Sequence, residues 1–371
     1  MVKSRAQAQS WWEKFPLKSS HAILNWLLLF VPVALILGHV GQTSPLLLFG
    51  LAALGIVPLA GVLGEATEDL ASHLGQGLGA LLNATMGNAT ELIIAIFALH
   101  AGHTEVVKAS LSGSIIGNIL LVLGLSVLAG GWKRERQHFS RQTAAVSSTM
   151  LFIAVVALVM PAVFSLSVFG EMREHAATIE NVSLWTSLVL IVVYLLSLRF
   201  AFGTHAAKQE EAHKSERPVR SALVALVLAT ILIAVLSEIL VAQIDATKQA
   251  LGLSELFLGV VVVAIIGNAA EHASAVFMAI ENKMDLALGI AIGSSAQIAL
   301  LVAPLLVFYS WFIHKPMSLL FVPLEIAGIA VAVLIVEMIS SDGETTWFEG
   351  VQLLAVYLIL AVAFYFVPNA G

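Results

Sequence analysis

Two glutamates stand at matching places in otherwise apolar stretches of this sequence. Glu91 ends the pentapeptide GNATE, and Glu271 ends the pentapeptide GNAAE. On a helix, the asparagine three residues earlier shares a face with the glutamate, so Asn88 pairs with Glu91 and Asn268 with Glu271. A glycine beside an asparagine lowers helix propensity, so a helix break that frees carbonyl oxygens is expected at each motif. A carboxylate in such a setting needs a cation, a proton or water, which marks both positions as functional.

The apolar segment after each motif supplies further oxygen ligands. The sequence SLSGSIIGNIL places Ser114 and Asn118 on one polar stripe, and GIAIGSSAQIAL does the same for Ser294 and Gln297. A helix-weakening glycine or proline follows each stripe, so each helix is expected to bend just past it. Because the chain has no cysteine, thiolate metal sites are excluded. Carboxylate, amide and hydroxyl oxygens together predict a hard cation, and Ca²⁺ takes about six to eight such ligands.

Protons are the expected competitor for this cation. Without a metal, two close carboxylates at membrane depth do not both stay ionised easily, because like charge and loss of water favour the protonated form. The two glutamates are therefore predicted to exchange Ca²⁺ for protons, which gives antiport with H⁺ as the counter-ion. His272 directly follows Glu271 and either relays protons or packs against a neighbouring helix, and the sequence leaves both readings open.

Three more acidic residues are candidates for an entrance to this site. Glu238 falls late in the seventh apolar segment, where it either lines a water-filled entrance or extends toward the membrane interface. Glu65 and Glu68 fall in a polar stretch that is predicted to be a cytoplasmic loop. They either attract cations toward the site or belong to an ordinary solvated loop.

The elements that must position these residues are membrane-spanning helices. The chain has 371 residues, of which 59% are hydrophobic and 11% charged, against about a quarter charged in soluble proteins. An all-α polytopic membrane protein of about eleven transmembrane helices is therefore predicted. The predicted spans lie near 22–40, 44–63, 77–101, 104–130, 143–168, 182–203, 219–243, 253–281, 284–310, 316–338 and 346–366.

An internal repeat organises these spans. A shift of 180 residues places GNATE (87–91) on GNAAE (267–271) and, without a gap, GS at 113–114 on GS at 293–294. The shift equates spans two to six with spans seven to eleven, and an odd number of crossings per unit means that the units are inverted, as in secondary transporters. The predicted domains are an N-terminal segment with one peripheral helix, a first five-helix repeat, a cytoplasmic linker and a second, inverted repeat: 1–43, 44–203, 204–218 and 219–371.

Basic residues predict the orientation. Lysines and arginines concentrate in the N-terminus, in 131–142 and in 205–220, which all fall on one side of an eleven-span chain. That side is predicted to be cytoplasmic, which places the C-terminus outside, and a prokaryotic cell membrane is the expected location. The formal charge of −6 gives no reason to expect nucleic-acid binding. Membrane lipid is the expected surrounding, and a homo-oligomer is left open.

The paired motifs resemble those of the Ca²⁺/cation exchanger superfamily, in its cation/proton exchanger branch. GNATELI, GNAAEHASAV, GSIIGN and GSSAQI are similar to its repeat motifs, and DGETTWFEGVQLLAVY to the entry of its last helix. The resemblance runs from about Glu65 to Phe366. It implies one peripheral helix plus five and five, and Ca²⁺/H⁺ antiport through Glu91 and Glu271. It also implies supporting roles as ligands or gates for Asn88, Asn268, Ser114, Asn118, Ser294 and Gln297.

Two other kinds of transport remain open at this stage. A Na⁺/Ca²⁺ exchanger, or an exchanger of another divalent cation, would use the same oxygen ligands, and a passive cation channel would need no counter-ion. An enzyme is not predicted, because the sequence offers no HExxH, GxSxG or comparable motif. No organic cofactor is expected.

Overall fold

The computed structural model describes residues 26–40, 43–172, 177–205 and 217–368, which are nearly all helical. The predicted N-terminal segment before residue 26 and most of the predicted linker lie outside these ranges. The helices of the first part are α1 (Phe30–Val40), α2 (Pro45–Met86), α3 (Ala89–Ala101), α4 (Thr104–Ile116), α5 (Leu123–Gly131), α6 (Arg141–Phe169) and α7 (Ala177–His205). Those of the second part are α8 (Val219–Ala242), α9 (Ile244–Leu251), α10 (Glu255–Phe257), α11 (Ala264–Ile280), α12 (Met284–Gln297), α13 (Ala303–Phe312), α14 (Pro323–Ser340) and α15 (Trp347–Tyr365).

The predicted helical membrane fold is confirmed. Within the described ranges, nine helical stretches are long and apolar enough to cross a bilayer, judged by length and composition. Two shorter apolar helices, Phe30–His39 and Ala89–Ala101, fall at the predicted first and third spans. The total of eleven crossings stays a prediction.

The predicted loop between the second and third spans is wrong. Helix α2 runs without interruption through 64–76, because GEATEDLASHL contains good helix formers and no proline, and polarity alone does not end a helix. The helix axis nevertheless turns back. A Cβ atom on Gly79 would lie 2.4 Å from the Ala71 carbonyl oxygen, whereas eight residues of straight helix span about 12 Å. Only glycine fits at position 79, because it has no Cβ atom to meet the Ala71 carbonyl oxygen. A bend of the helix thus replaces the predicted loop.

The predicted helix break is present in one motif and absent from the other. Helix α2 ends and α3 begins around Gly87 and Asn88, whose backbone leaves the helical region with ψ at 19°. Helix α11 runs straight through Gly267, so the break predicted there is wrong. The side-chain amide of Asn268 donates to the Ala264 carbonyl oxygen at 2.9 Å, which adds a bond along the helix in the second motif.

Each polar stripe is followed by a π-helical turn. The turns Gly117–Val122 and Ile298–Val302 connect α4 to α5 and α12 to α13, and they occupy matching positions under the 180-residue shift. The first lies just before Gly124 and the second just before Pro304, the residues at which a bend was predicted. A third π-helical turn, Leu258–Val263, precedes α11. Such turns widen a helix locally and are frequent at functional sites.

The two parts of the chain pack against each other through their motif helices. Helix α3 packs on α8, and α11 packs on α2, so each motif helix lies against the other part of the chain. Helix α4 crosses the π-helical turn before α11, where Gly113 and Gly259 bring the backbones together. Within an 18-residue apolar window of Thr104–Gly131 and of Met284–Phe312, 83% and 78% of the residues are buried, more than in any other candidate span, so these helices form the centre of the molecule.

The helix connections gather at two ends of the bundle. At one end, strands β1 (Gln137–His138) and β2 (Glu344–Thr345) form an antiparallel pair, and Arg134 donates to the Ile280 carbonyl oxygen at 3.0 Å. At the other end, Lys315 donates to the His100 carbonyl oxygen at 2.7 Å. These contacts join connections that an eleven-span chain would place on the same side.

Candidate ion-binding site

Each of the two motif glutamates packs against the glycine of the other motif. A Cβ atom on Gly267 would lie 3.0 Å from Cγ and 3.7 Å from Cδ of Glu91. A Cβ atom on Gly87 would lie 3.8 Å from Oε1 of Glu271. The carboxyl groups are also close enough to interact electrostatically. The structure thus brings the two acidic side chains together at the contact between the two parts of the chain.

The two motif asparagines use their amide groups to hold the neighbouring polar stripes. Asn88 donates from Nδ2 to Oε1 of Gln297 at 2.6 Å, and Asn268 donates from Nδ2 to Oγ of Ser114 at 2.8 Å. Because the nitrogen of each amide is occupied in this way, its carbonyl oxygen is left as an acceptor. The Oδ1 atoms of both asparagines are buried without a hydrogen-bond donor.

Five buried oxygens at this site have no hydrogen-bond partner. They are Asn88 Oδ1, Asn268 Oδ1, Glu91 Oε1, Glu91 Oε2 and Glu271 Oε2. Elsewhere in the described part of the chain, the buried polar atoms of this kind are hydroxyl oxygens and one glutamine oxygen, all neutral. Unsatisfied acceptors are costly when buried, and carboxylate oxygens most of all. Carboxylate and amide oxygens are the ligands of hard divalent cations, so this set has the chemistry of a Ca²⁺ site.

A chain of hydrogen bonds connects Glu271 to the residue that follows it. Ser294 lies within hydrogen-bonding reach of the Glu271 carboxyl group, and Asn118 donates to Oγ of Ser294 at 3.2 Å. Oδ1 of Asn118 in turn lies 3.0 Å from Nε2 of His272. Since an amide oxygen only accepts, this network assigns the proton of His272 to Nε2. The contact fits the packed reading of His272 and holds Glu271 on one side.

Glu91 is surrounded differently from Glu271. Both of its oxygens are without a donor, whereas the Glu271 carboxyl group has Ser294 beside it. The position that corresponds to His272 in the first motif is Leu92, which brings no polar group. The two carboxyl groups are therefore related by the repeat but not equivalent in their contacts.

Helix pairs that run parallel and in register produce these contacts. The bonds from Asn268 to Ser114 and from His272 to Asn118 both join residues 154 positions apart. A constant offset along two helices requires that they run in the same direction. The Asn88–Gln297 bond and the contact of His100 with Tyr309 likewise share an offset of 209. Helix α11 is thus bonded alongside α4, and α3 alongside α12 and α13.

The candidate entrance residues are exposed, unlike the oxygens of the site. Glu65 and Glu68 are exposed on α2, in the stretch that was predicted to be a loop. Glu238 is exposed one turn before the end of α8. The structure does not place these three side chains among the ligands.

One buried basic residue, Lys108, was not predicted to have a role. Lys108 lies in α4, two turns before the polar stripe, and its side chain is 2% exposed. A lysine in an apolar span was a usable signal, because such a side chain requires a partner. The partner itself is more than 200 positions away and could not be read from the sequence.

Comparison with known proteins shows which family the chain belongs to. The sequence model of the family described as "Sodium/calcium exchanger protein" matches residues 44–203 and 221–366. The Ca(2+)/H(+) antiporter of Aphanothece halophytica is 42% identical over 369 residues, which cover 94% of this chain and 98% of that protein. The Ca(2+)/H(+) antiporter ChaA of Bacillus subtilis is 44% identical, over 90% of this chain and 96% of that protein.

Solved structures agree with these sequence comparisons. The structure of native YfkE has a TM-score of 0.81 and 42% identity, and the match covers 94% of this chain and all of that one. The structure of the H⁺/Ca²⁺ exchanger CAX has a TM-score of 0.69 at 16% identity, over 94% of this chain and 92% of that one. At that identity the second likeness concerns the fold alone.

Proposed function

Because the chain belongs to the sodium/calcium exchanger protein family, we propose that it is an antiporter that exports Ca²⁺ from the cytoplasm in exchange for protons. Relatives more than 40% identical over most of their length carry the name Ca(2+)/H(+) antiporter. The single observation that supports this activity from the structure is the set of five buried, unpartnered oxygens between the two motifs.

In the proposed mechanism the Ca²⁺ substrate binds between Glu91 and Glu271. The two carboxylates balance its charge, and the amide oxygens of Asn88 and Asn268 add neutral ligands. Ser114 and Gln297 hold the asparagine nitrogens, so they orient ligands rather than bind the ion themselves. Asn118 and Ser294 do the same for Glu271 through the chain that ends at His272.

Protons take the place of the ion on the return step. Two ionised carboxylates without a cation would leave two negative charges at membrane depth, which is strongly unfavourable. The site is therefore either loaded with Ca²⁺ or protonated on both carboxyl groups, and both of these states are neutral. Since only neutral states pass between the two sides, the movement of Ca²⁺ one way requires about two protons the other way.

We place the end of the bundle that carries β1 and β2 in the cytoplasm. This end holds Lys133, Arg134 and Arg136, whereas basic residues are sparser at the opposite end of the bundle, where α9 lies. The absence of cysteine from the chain gives a direct test with single cysteines. Gln249→Cys in intact cells should react with an impermeant maleimide, and Lys133→Cys should react only after permeabilisation. The reverse pattern would contradict this orientation.

Proteoliposomes provide the test of the proposed activity. With purified protein and a pH-sensitive dye in the lumen, a Ca²⁺ gradient should drive protons in the opposite direction. The rate should fall as the pH on the Ca²⁺ side is lowered, because protons compete for the same carboxylates. Liposomes without protein serve as the control.

The same assay separates the alternatives. A Na⁺/Ca²⁺ exchanger would move Ca²⁺ only when Na⁺ is supplied on the other side and would leave the pH signal flat. A passive channel would carry Ca²⁺ with no counter-ion and would give a current at zero pH gradient. Replacing Ca²⁺ by Mn²⁺, Na⁺ and K⁺ in turn defines the ion that is carried.

A further inference from the structure

A buried lysine ties α4 to a segment of the other part of the chain. The ammonium group of Lys108 donates to the Leu320 carbonyl oxygen at 3.1 Å and pairs with Glu105 at 2.8 Å. Its side chain is 2% exposed, although it lies inside the membrane-spanning stretch Thr104–Gly131. Lysine is almost never buried to this degree without specific partners.

The second buried ionisable group of this region is the carboxyl group of Glu325 on α14. Ser112 donates to its Oε1 at 2.6 Å, and the backbone nitrogen of Val322 donates to its Oε2 at 2.8 Å. The charge of Lys108 acts on the same group. Because a donor lies against each of its oxygens, this carboxyl group is fixed in place. It differs in this from Glu91, whose oxygens are both without a donor.

The segment between α13 and α14 needs such support. Residues 315–322 are not helical, yet Met317, Leu319 and Phe321 are buried. Buried backbone outside a helix needs other groups to satisfy its N–H and C=O atoms. Side chains from four helices do so. Three backbone N–H groups donate to side-chain oxygens: Met317 to Ser310, Leu319 to Ser183 and Val322 to Glu325. The Leu320 carbonyl oxygen accepts from Lys108.

Helix α4 presents its anchoring and its ion-site residues on different faces. Lys108 and Ser112 are four residues apart, so they point the same way along the helix. Ser114 lies about 160° around the helix from Ser112, since each residue turns the helix by about 100°. One face of α4 is thus held by α14 and the non-helical segment, while the opposite face holds Asn268.

We propose that Lys108, Ser112 and Glu325 are positioning residues for ion binding, which we call the α4 anchor. The anchor fixes α4 in rotation and along its axis against the second part of the chain. Ser114 and Asn118 are thereby held where they orient Asn268 and the chain to Glu271. This inference rests on the proposed function, because the property that it controls is the affinity for Ca²⁺.

The test is Ca²⁺ affinity of the purified full-length protein, measured by isothermal titration calorimetry in detergent. Lys108→Met removes the donor to the Leu320 carbonyl oxygen and the positive charge that acts on Glu325. Glu325→Gln removes the carboxyl group that accepts from Ser112 and Val322, and leaves Lys108 with Glu105 as its acidic partner. Each change should displace α4 and weaken Ca²⁺ binding at least tenfold. The double variant removes both charges together and should recover affinity to within threefold of the parent. Glu337→Gln, an exposed carboxyl group on the same α14, is the matched control and should bind like the parent.

Ser112→Ala keeps the test valid if a stranded charge prevents folding. It removes one hydrogen bond to Glu325 without leaving an unpaired charge, and it should weaken Ca²⁺ binding at least threefold at an unchanged melting temperature. A merely structural role would lower the yield or the melting temperature of the variants while the folded protein kept its Ca²⁺ affinity. That result would overturn the anchor. So would a double variant that binds Ca²⁺ as weakly as the single variant with the lower affinity. A parent that binds no Ca²⁺ would overturn the proposed function and the anchor with it.

Discussion

Glu91→Gln is expected to abolish Ca²⁺-driven proton movement in proteoliposomes, with a loss of at least about a hundredfold. Glutamine keeps the size of the side chain but removes the charge that balances one of the two charges of Ca²⁺. An uncompensated charge at a buried site costs about 3–5 kcal/mol, and each 1.4 kcal/mol corresponds to about a tenfold loss of affinity. The glutamine also cannot take up a proton, so the return step is lost as well. Glu271→Gln should fail for the same reason.

Two further variants define what this loss means. Glu337→Gln changes an exposed carboxyl group on α14 and should keep the rate within about twofold, because surface charges away from a site contribute little. Glu91→Asp keeps the charge on a shorter side chain and should retain measurable exchange at a reduced Ca²⁺ affinity. If Glu91→Gln kept a tenth of the parent rate in correctly folded protein, the assignment of Glu91 as an exchange group would be wrong.

Gly113→Ala is expected to prevent correct assembly of the helix bundle. The new Cβ atom would lie 2.1 Å from the carbonyl oxygen and 2.5 Å from the Cα atom of Val260. These are backbone atoms, so no side-chain rotation relieves the contact and α4 must move away from the π-helical turn. Overpacking costs about 1–3 kcal/mol and occasionally more, and a backbone contact belongs at the upper end. The yield of monodisperse protein and its melting temperature in detergent measure the effect.

A second glycine provides the control for this substitution. A Cβ atom on Gly289, in the middle of α12, would meet no atom within 4 Å. Gly289→Ala should therefore leave the fold intact and stabilise it by up to about 1 kcal/mol through helix propensity. Equal melting temperatures for Gly113→Ala and the parent would show that the two backbones are not in contact.

Hydropathy predicts where this chain crosses the membrane better than it predicts where a helix ends. Within the described ranges, nine of the predicted spans coincide with helices long and apolar enough to cross a bilayer, because lipid requires long apolar helices. The stretch 64–76 was assigned to a loop because it is polar, yet it is helical, since the identity of its residues favours a helix and the chain reverses by a bend at Gly79. The electrostatic interaction of Lys108 with Glu325 was not predicted, because the two residues are more than 200 positions apart and occur once rather than in both repeats.

The repeat predicts which residues gather at the candidate site but not how they pair. Under the 180-residue shift, Gln297 corresponds to Gly117, which has no side chain. Asn268 therefore lacks the partner that Asn88 has, and it bonds instead to Ser114, one turn earlier on α4. The sequence supplied the ligand types and their faces. The hydrogen bonds depend on the register of helices from different parts of the chain, which local patterns do not encode.

The packing of each motif helix on the other part of the chain has a consequence for ancestry. If the chain descends from a single five-helix unit that assembled in pairs, every contact across the pair was once made twice, as in any isologous dimer. Fusion of two copies allowed the duplicates to diverge. The contact of Asn268 with Ser114 and the contact of Asn88 with Gln297 are no longer copies of one another, and only one glutamate is followed by a histidine. A fused chain is thus free to give its two acidic residues different tasks, which a symmetric pair of identical subunits could not do.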